Sequence, residues 1–136
     1  MEVQRIGDDT SGRSWSRTRR MGVNTLAFRA AQHGTFFAVD ADVTPVTRSL
    51  PPDGARQWLE LVAASGTPLF VSVAPDARDP ATLALVRGGL ATAAVARDVA
   101  EPLDWMDTVC PTRWRLDGQQ RTFDWMAPTG GWPFGD

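Results

Sequence analysis

One cysteine, Cys110, and one histidine, His33, are present among the 136 residues of this sequence. A single cysteine excludes an internal disulfide bond and argues against a metal site built on cysteine ligands. The 14 basic and 16 acidic side chains leave a formal net charge of −2, so the chain lacks the positive excess that attracts nucleic acid or an anionic membrane. We therefore expect no metal, no cofactor, no nucleic-acid partner and no membrane partner.

Long apolar runs are lacking as well. No segment reaches the roughly 20 consecutive apolar residues of a membrane-spanning helix, and residues 1–9 lack the apolar core of a signal peptide. The cytoplasm is therefore the expected location. The composition, 43% hydrophobic and 22% charged, is typical of a globular protein, and the length suffices for one domain with its own core.

The most informative stretch covers residues 34–42. The apolar run Phe36-Phe37-Ala38-Val39 predicts a strand buried on both faces, and the strand ends in Asp40 and Asp42. Because side chains alternate along a strand, both carboxylates should point to the same side. The carboxyl ends of parallel strands are where α/β proteins usually bind ligands. A simpler interpretation stays open, in which one aspartate caps the following turn and the other is solvated.

Apolar periodicity predicts three strands and three helices in strict alternation. The strands are expected at 1–7, 34–42 and 67–74, and the helices at 19–33, 53–65 and 79–97. Asp79 and Pro80 fit an N-cap and a first-turn proline. His33 and Gly34 fit a helix end, with catalysis by the lone histidine as the alternative. The alternation indicates an α/β fold with parallel strands and right-handed crossovers.

The tail, residues 101–136, differs from residues 1–100 in being rich in tryptophan, proline and glycine. Residues 114–125 predict two short strands around the turn Asp117-Gly118. The tryptophans of the tail could stack on sugar rings or pack the tail onto the preceding part. They are Trp105, Trp114, Trp125 and Trp132.

Three segments resemble, in order, the later half of the α-galactosidase (melibiase-type) glycoside hydrolases. Residues 5–10, Arg-Ile-Gly-Asp-Asp-Thr, followed by Trp15, are similar to a family segment R-[IV]-G-x-D-T and its tryptophan. Residues 36–42 resemble the aromatic strand that ends N-D-P-D, although Val39 and Ala41 stand at the Asn and Pro. Residues 67–73 and 79–87 resemble the last barrel strand and its helix. The resemblance covers about residues 5–116.

The resemblance implies a fold and a set of site residues. The fold would be a partial (β/α)8 TIM barrel over residues 1–100, its last three βα units, with a short β-extension over 101–136. Asp9 would be the catalytic general acid/base, and Arg5, Trp15, Asp40 and Asp42 would bind a galactoside-like substrate. A general acid needs a raised pKa, which the charge of the neighbouring Asp8 would favour and Arg5 would oppose.

The family's nucleophile is an aspartate on an earlier barrel strand that this sequence does not contain. Because retaining glycosidases need two carboxylates, we expect a glycoside hydrolase fragment that is inactive alone. A non-catalytic carbohydrate-binding or interaction domain is the alternative. A third hypothesis is a self-sufficient α/β domain that binds phosphate at a helix N-terminus, although no glycine-rich phosphate loop supports it.

Three parallel strands would leave two open sheet edges. Residues 36–39 and 69–73 carry few charges that could protect such edges. We therefore expect the chain to self-associate, to pair with a separate barrel half, or to fold poorly in isolation.

Overall fold

The computed structural model describes residues 1–95 and 97–126. The strands in these residues are β1 (Val3–Arg5), β2 (Ala38–Asp40), β3 (Val43–Val46), β4 (Phe70–Val73), β5 (Glu101–Pro102), β6 (Arg113–Leu116) and β7 (Gln119–Thr122). The α-helices are α1 (Trp15–Thr18), α2 (Thr25–Arg29), α3 (Pro52–Ala63) and α4 (Pro80–Ala93). A π-helical segment, Arg19–Asn24, joins α1 to α2, and 3₁₀ turns cover Ala30–Gln32 and Pro75–Ala77. Within the described ranges, no helix is both long and apolar enough to cross a membrane.

The strands form three small sheets. Strand β1 pairs in parallel with β2, and β3 pairs in parallel with β4. Strands β5, β6 and β7 form an antiparallel sheet. Only Ala41 and Asp42 separate β2 from β3, and Asp42 has a φ of 68°. Because this left-handed conformation cannot continue an extended strand, the chain turns there and the two parallel pairs remain separate sheets.

The expected partial (β/α)8 barrel is therefore wrong. The structure is a small mixed α/β fold of two- and three-stranded sheets, one of them antiparallel, without the repeated βα units of a barrel. The predicted strand over residues 36–39 also begins too early. Gly34, with a φ of 77°, and the turn that follows it leave Phe36 86% exposed, and β2 begins only at Ala38.

The hairpin predicted in the tail is confirmed. Strand β6 pairs with β7 from Arg113 opposite Thr122 to Leu116 opposite Gln119. Asp117 and Gly118 join them with φ values of 52° and 76°, the left-handed pair of a type I′ turn. A type I′ turn matches the natural twist of the two strands, which is why an Asp-Gly pair predicts it from sequence.

Helix α3 lies at the centre of the hydrophobic core. Pro52 lies in its first turn, where a missing backbone N–H costs nothing. Gly66, shortly after the last helical residue Ala63, has a φ of 75°, a left-handed conformation that is common after helix ends. Its side chains Trp58, Leu61 and Val62 are completely buried. Their spacing places them on one face of the helix, which turns that face toward the core.

Tryptophans of the tail complete this core. Trp114 and Trp125 are fully buried in the same cluster as Trp58, and both of their indole N–H groups donate to the Pro111 carbonyl, at 2.9 and 2.7 Å. These two tryptophans therefore pack the fold instead of stacking on sugar. Trp105 is exposed, and Trp132 lies outside the described residues.

Candidate functional site

The candidate site lies at the carboxyl ends of β1 and β2. These strands run in parallel with Arg5 opposite Asp40, and the Ile6 amide extends the ladder by donating to the Asp40 carbonyl at 3.1 Å. The segments that leave both strands therefore emerge at the same end. They carry Asp9 after β1 and Asp42 after β2, so strand pairing brings together residues that are far apart in sequence.

Arg5 bridges the two carboxylates. Its Nη1 atom lies 2.7 Å from Oδ1 of Asp9 and 3.4 Å from Oδ1 of Asp42. The side chains of Arg5 and Asp9 are 45% and 65% exposed, whereas that of Asp42 is 14% exposed. Three of the residues expected to form a site thus meet around one guanidinium, with Asp9 as the member most open to a ligand.

Asp42 is held firmly in place. Its Oδ2 atom accepts hydrogen bonds from the amide and the hydroxyl of Thr10, at 2.7 and 3.1 Å. Burial raises the pKa of Asp42, but the bonds from Thr10 and the Val43 amide, together with the charge of Arg5, outweigh burial and leave the pKa below its ordinary value. Asp42 is therefore a fixed anion. Thr10 was missed from sequence, because its role depends on a contact across 32 positions.

Asp40 has a local role. Its Oδ1 atom accepts the backbone N–H of Asp42 at 2.8 Å, which closes a turn of the Asx type. Asp40 is therefore the aspartate that caps the following turn, as the simpler interpretation of the pair Asp40 and Asp42 expects.

Asp8 is engaged in its own ion pair. Its Oδ2 atom lies 2.9 Å from Nη2 of Arg17, and its Oδ1 atom accepts the Asp9 amide at 2.8 Å. The bond from the Asp9 amide, followed by the bond and the charge of Arg17, lowers the pKa of Asp8. Arg17 also donates from Nε to the Asp9 carbonyl at 2.9 Å, which fixes the loop that presents Asp9.

Trp15 and His33 lie away from the carboxylates. Trp15 is 4% exposed, and its indole N–H donates to the Trp125 carbonyl at 2.8 Å, so its ring supports the core and presents no face to a ligand. His33 forms an isolated β-bridge with Phe37, before the start of β2. Its Nδ1 atom accepts a hydrogen bond from the Val39 backbone N–H at 3.1 Å. Helix formation ends before His33, in the 3₁₀ turn Ala30–Gln32.

A polar cavity of about 520 Å³ lies beside Thr10. The loops that follow β1, β3 and β4 line it with Thr10, Ser11, Gly12, Arg13, Thr47, Arg48, Ser49, Ala74 and Asp76. The strands and helices expected from the sequence left residues 43–52 unassigned, so β3 and the cavity at its end were missed. The polar run Thr47-Arg48-Ser49 directly after β3 was the available signal.

Residues 1–95 and 97–126 contain no group of three or more His, Cys, Asp or Glu side chains arranged to hold a metal ion. Comparison of the chain with family models, with curated proteins and with solved structures gives no match. The resemblance to α-galactosidases therefore stays a prediction.

Proposed function

We propose that this chain binds a galactoside-like carbohydrate at Arg5, Asp9 and Asp42 and does not cleave it on its own. The observation that carries the proposal is the bridge that one guanidinium forms between two carboxylates at the ends of adjacent parallel strands. Carboxylates accept hydrogen bonds from sugar hydroxyls, and a guanidinium donates them. Charged partners make such bonds stronger than neutral ones.

The arrangement favours binding over hydrolysis. A general acid must carry a proton to the leaving oxygen, whereas Asp9 in its ion pair with Arg5 is placed to accept hydrogen bonds. A nucleophile needs a free carboxylate oxygen, but Oδ2 of Asp42 accepts two bonds from Thr10 and Oδ1 faces Arg5. Asp9, whose side chain is 65% exposed, is therefore the carboxylate suited to accept hydroxyls, and Asp42 positions the Arg5 guanidinium beside it. We also propose a cytoplasmic location.

Titration with methyl α-galactoside, followed by NMR of backbone amides, tests the proposal. We expect saturable shifts at Arg5, Asp9 and Asp42. Asp9→Asn should weaken binding about tenfold, because it removes a charged acceptor. Asp53→Asn is the matched control, since Asp53 is an exposed aspartate paired with an arginine, Arg56, at 3.5 Å on α3.

Two results would contradict the proposal. The absence of saturable shifts at the three residues would show that they form no sugar site. Steady turnover of nitrophenyl α-galactoside that disappears in Asp9→Asn would show that the chain is a hydrolase.

A further inference from the structure

The polar cavity is next to the proposed sugar site. Thr10 belongs to both, since it lines the cavity and its amide and hydroxyl bind Asp42. The volume of about 520 Å³ lies within the range of roughly 300–1,000 Å³ that small-molecule pockets occupy. The two sites thus adjoin at Thr10, and a single ligand with hydroxyls at Asp9 and a substituent in the cavity would occupy both.

Two arginines supply the charge of the cavity. Within the described part of the chain, Arg13 forms no ion pair with any carboxylate. Arg48 donates from Nε to the Asp76 carbonyl at 2.6 Å, and its Nη2 lies 3.6 Å from a carboxylate oxygen of Asp79. These contacts hold the guanidinium of Arg48 by two of its nitrogens.

The hydroxyl of Ser11 adds a neutral donor. Its oxygen accepts the amides of Arg13 and Ser14, both at 3.1 Å, and these bonds leave the hydroxyl its own proton to donate. The lining also contains the carboxylate of Asp76, which is exposed, as are Arg13 and Arg48. Two guanidinium charges against one carboxylate leave the lining positive, and its donors from Arg13, Arg48 and Ser11 match an anionic group.

We propose that this cavity binds the anionic substituent, a phosphate or a carboxylate, of the sugar held at Arg5, Asp9 and Asp42. The ligand class is then a phosphorylated or acidic hexose. This inference rests on the proposed carbohydrate binding and narrows it to charged sugars. Arg13 and Arg48 are the residues that select for the charge.

Calorimetric titration of the full chain with four ligands tests the inference: galactose, galactose 6-phosphate, galacturonate and inorganic phosphate. We expect at least one of the two anionic sugars to bind about tenfold more tightly than galactose, as a charge-assisted bond predicts. The tighter of the two identifies the source of the charge.

Variants of the two arginines test whether the tighter binding of the anionic sugar depends on the cavity. Arg13→Gln and Arg48→Gln should each remove most of the tenfold preference and leave the affinity for galactose unchanged. Arg56→Gln, which removes an arginine paired with Glu60 on α3, should change neither affinity. Because Arg48 also contacts Asp79, Arg13→Gln is the cleaner of the two tests.

The outcomes separate this inference from the proposed function. Galactose binding with no preference for the anionic sugars would overturn the inference and leave the proposed function standing. A preference that survives the combined Arg13→Gln and Arg48→Gln changes would place the charge recognition elsewhere and also overturn it. Binding of inorganic phosphate without binding of any sugar would overturn both.

Discussion

Helices α3 and α4 pack against each other but are buried to opposite degrees. Of the 12 residues of α3, seven are buried, whereas none of the 14 residues of α4 is buried. Yet α3 carries the charged residues Asp53, Arg56 and Glu60, while α4 carries only Arg87. The more apolar helix is thus the more exposed one.

The difference shows that pattern decides burial more directly than composition does. The charges of α3 lie off its apolar face, which gives that face one direction to turn. Helix α4 is apolar around its circumference, and one side of it meets α3, where a Cβ atom at Gly89 would lie 3.2 Å from Leu59. Another part remains open, with Leu83 38% and Leu90 50% exposed. Helices of this kind are usually buried on all sides.

Matched leucine truncations should give the largest contrast. Leu61→Ala on α3 removes a fully buried side chain and should lower the free energy of unfolding by about 2–5 kcal/mol. Leu90→Ala on α4 removes a half-exposed side chain and should cost no more than about 1 kcal/mol. Urea denaturation of both variants and the unmodified chain, at concentrations where sedimentation shows a monomer, measures the two values. Equal losses would mean that Leu90 is buried within the monomer.

Sequence reasoning predicted the features that depend on local chemistry. The Asp117-Gly118 hairpin was predicted because a type I′ turn needs those residues. The N-cap of α4 was predicted as well, and Asp79 accepts the Thr82 amide at 2.9 Å. The resemblance, and not local chemistry, placed Arg5, Asp9 and Asp42 in one site, and the structure brings these three side chains together.

The features that failed depend on contacts distant in sequence. The bend at Asp42 is stabilised by Thr10, and nothing within residues 36–42 indicates that partner. Strand β3 was missed because Pro45 is uncommon inside strands, although a two-stranded sheet leaves an edge that tolerates it. The partial barrel was inferred from alternation and resemblance alone, and neither observation determines how strands pair.

A charge on α4 tests the open surface of this helix, on which Leu83 and Leu90 are exposed. Helix α4 contains one charged residue, Arg87, so two copies could meet there without strong repulsion. We expect the chain to self-associate through it and Leu90→Glu to weaken association about tenfold or more.

Sedimentation at several concentrations and binding of a hydrophobic dye measure this effect. Gln120→Glu is the control, since it adds the same charge at an exposed position of the antiparallel sheet. A monomer at all concentrations that binds no dye would show that the open surface does not drive association.

The smallest effect on stability should come from changing the first turns of α3 and α4. Asp79 caps α4, whereas α3 begins after Pro51 without a side-chain cap. The hydrogen bond from the Thr82 amide is the main cause that lowers the pKa of Asp79. Its contribution is therefore fully present above the ordinary aspartate pKa of about 3.9, and it is lost as the pH falls through the lowered pKa.

Acidification from neutral pH should accordingly loosen the first turn of α4 before that of α3. Amide shifts of Thr82 and Leu83, followed by NMR against pH, report the loss, and Asp79→Ala should produce it already at neutral pH. Asp53→Ala is the matched control, because Asp53 lies in the first turn of α3 but does not cap it. If Asp79→Ala left the Thr82 amide unchanged at neutral pH, the first turn of α4 would be held by packing, and the contrast between the two helices would be smaller than their burial indicates.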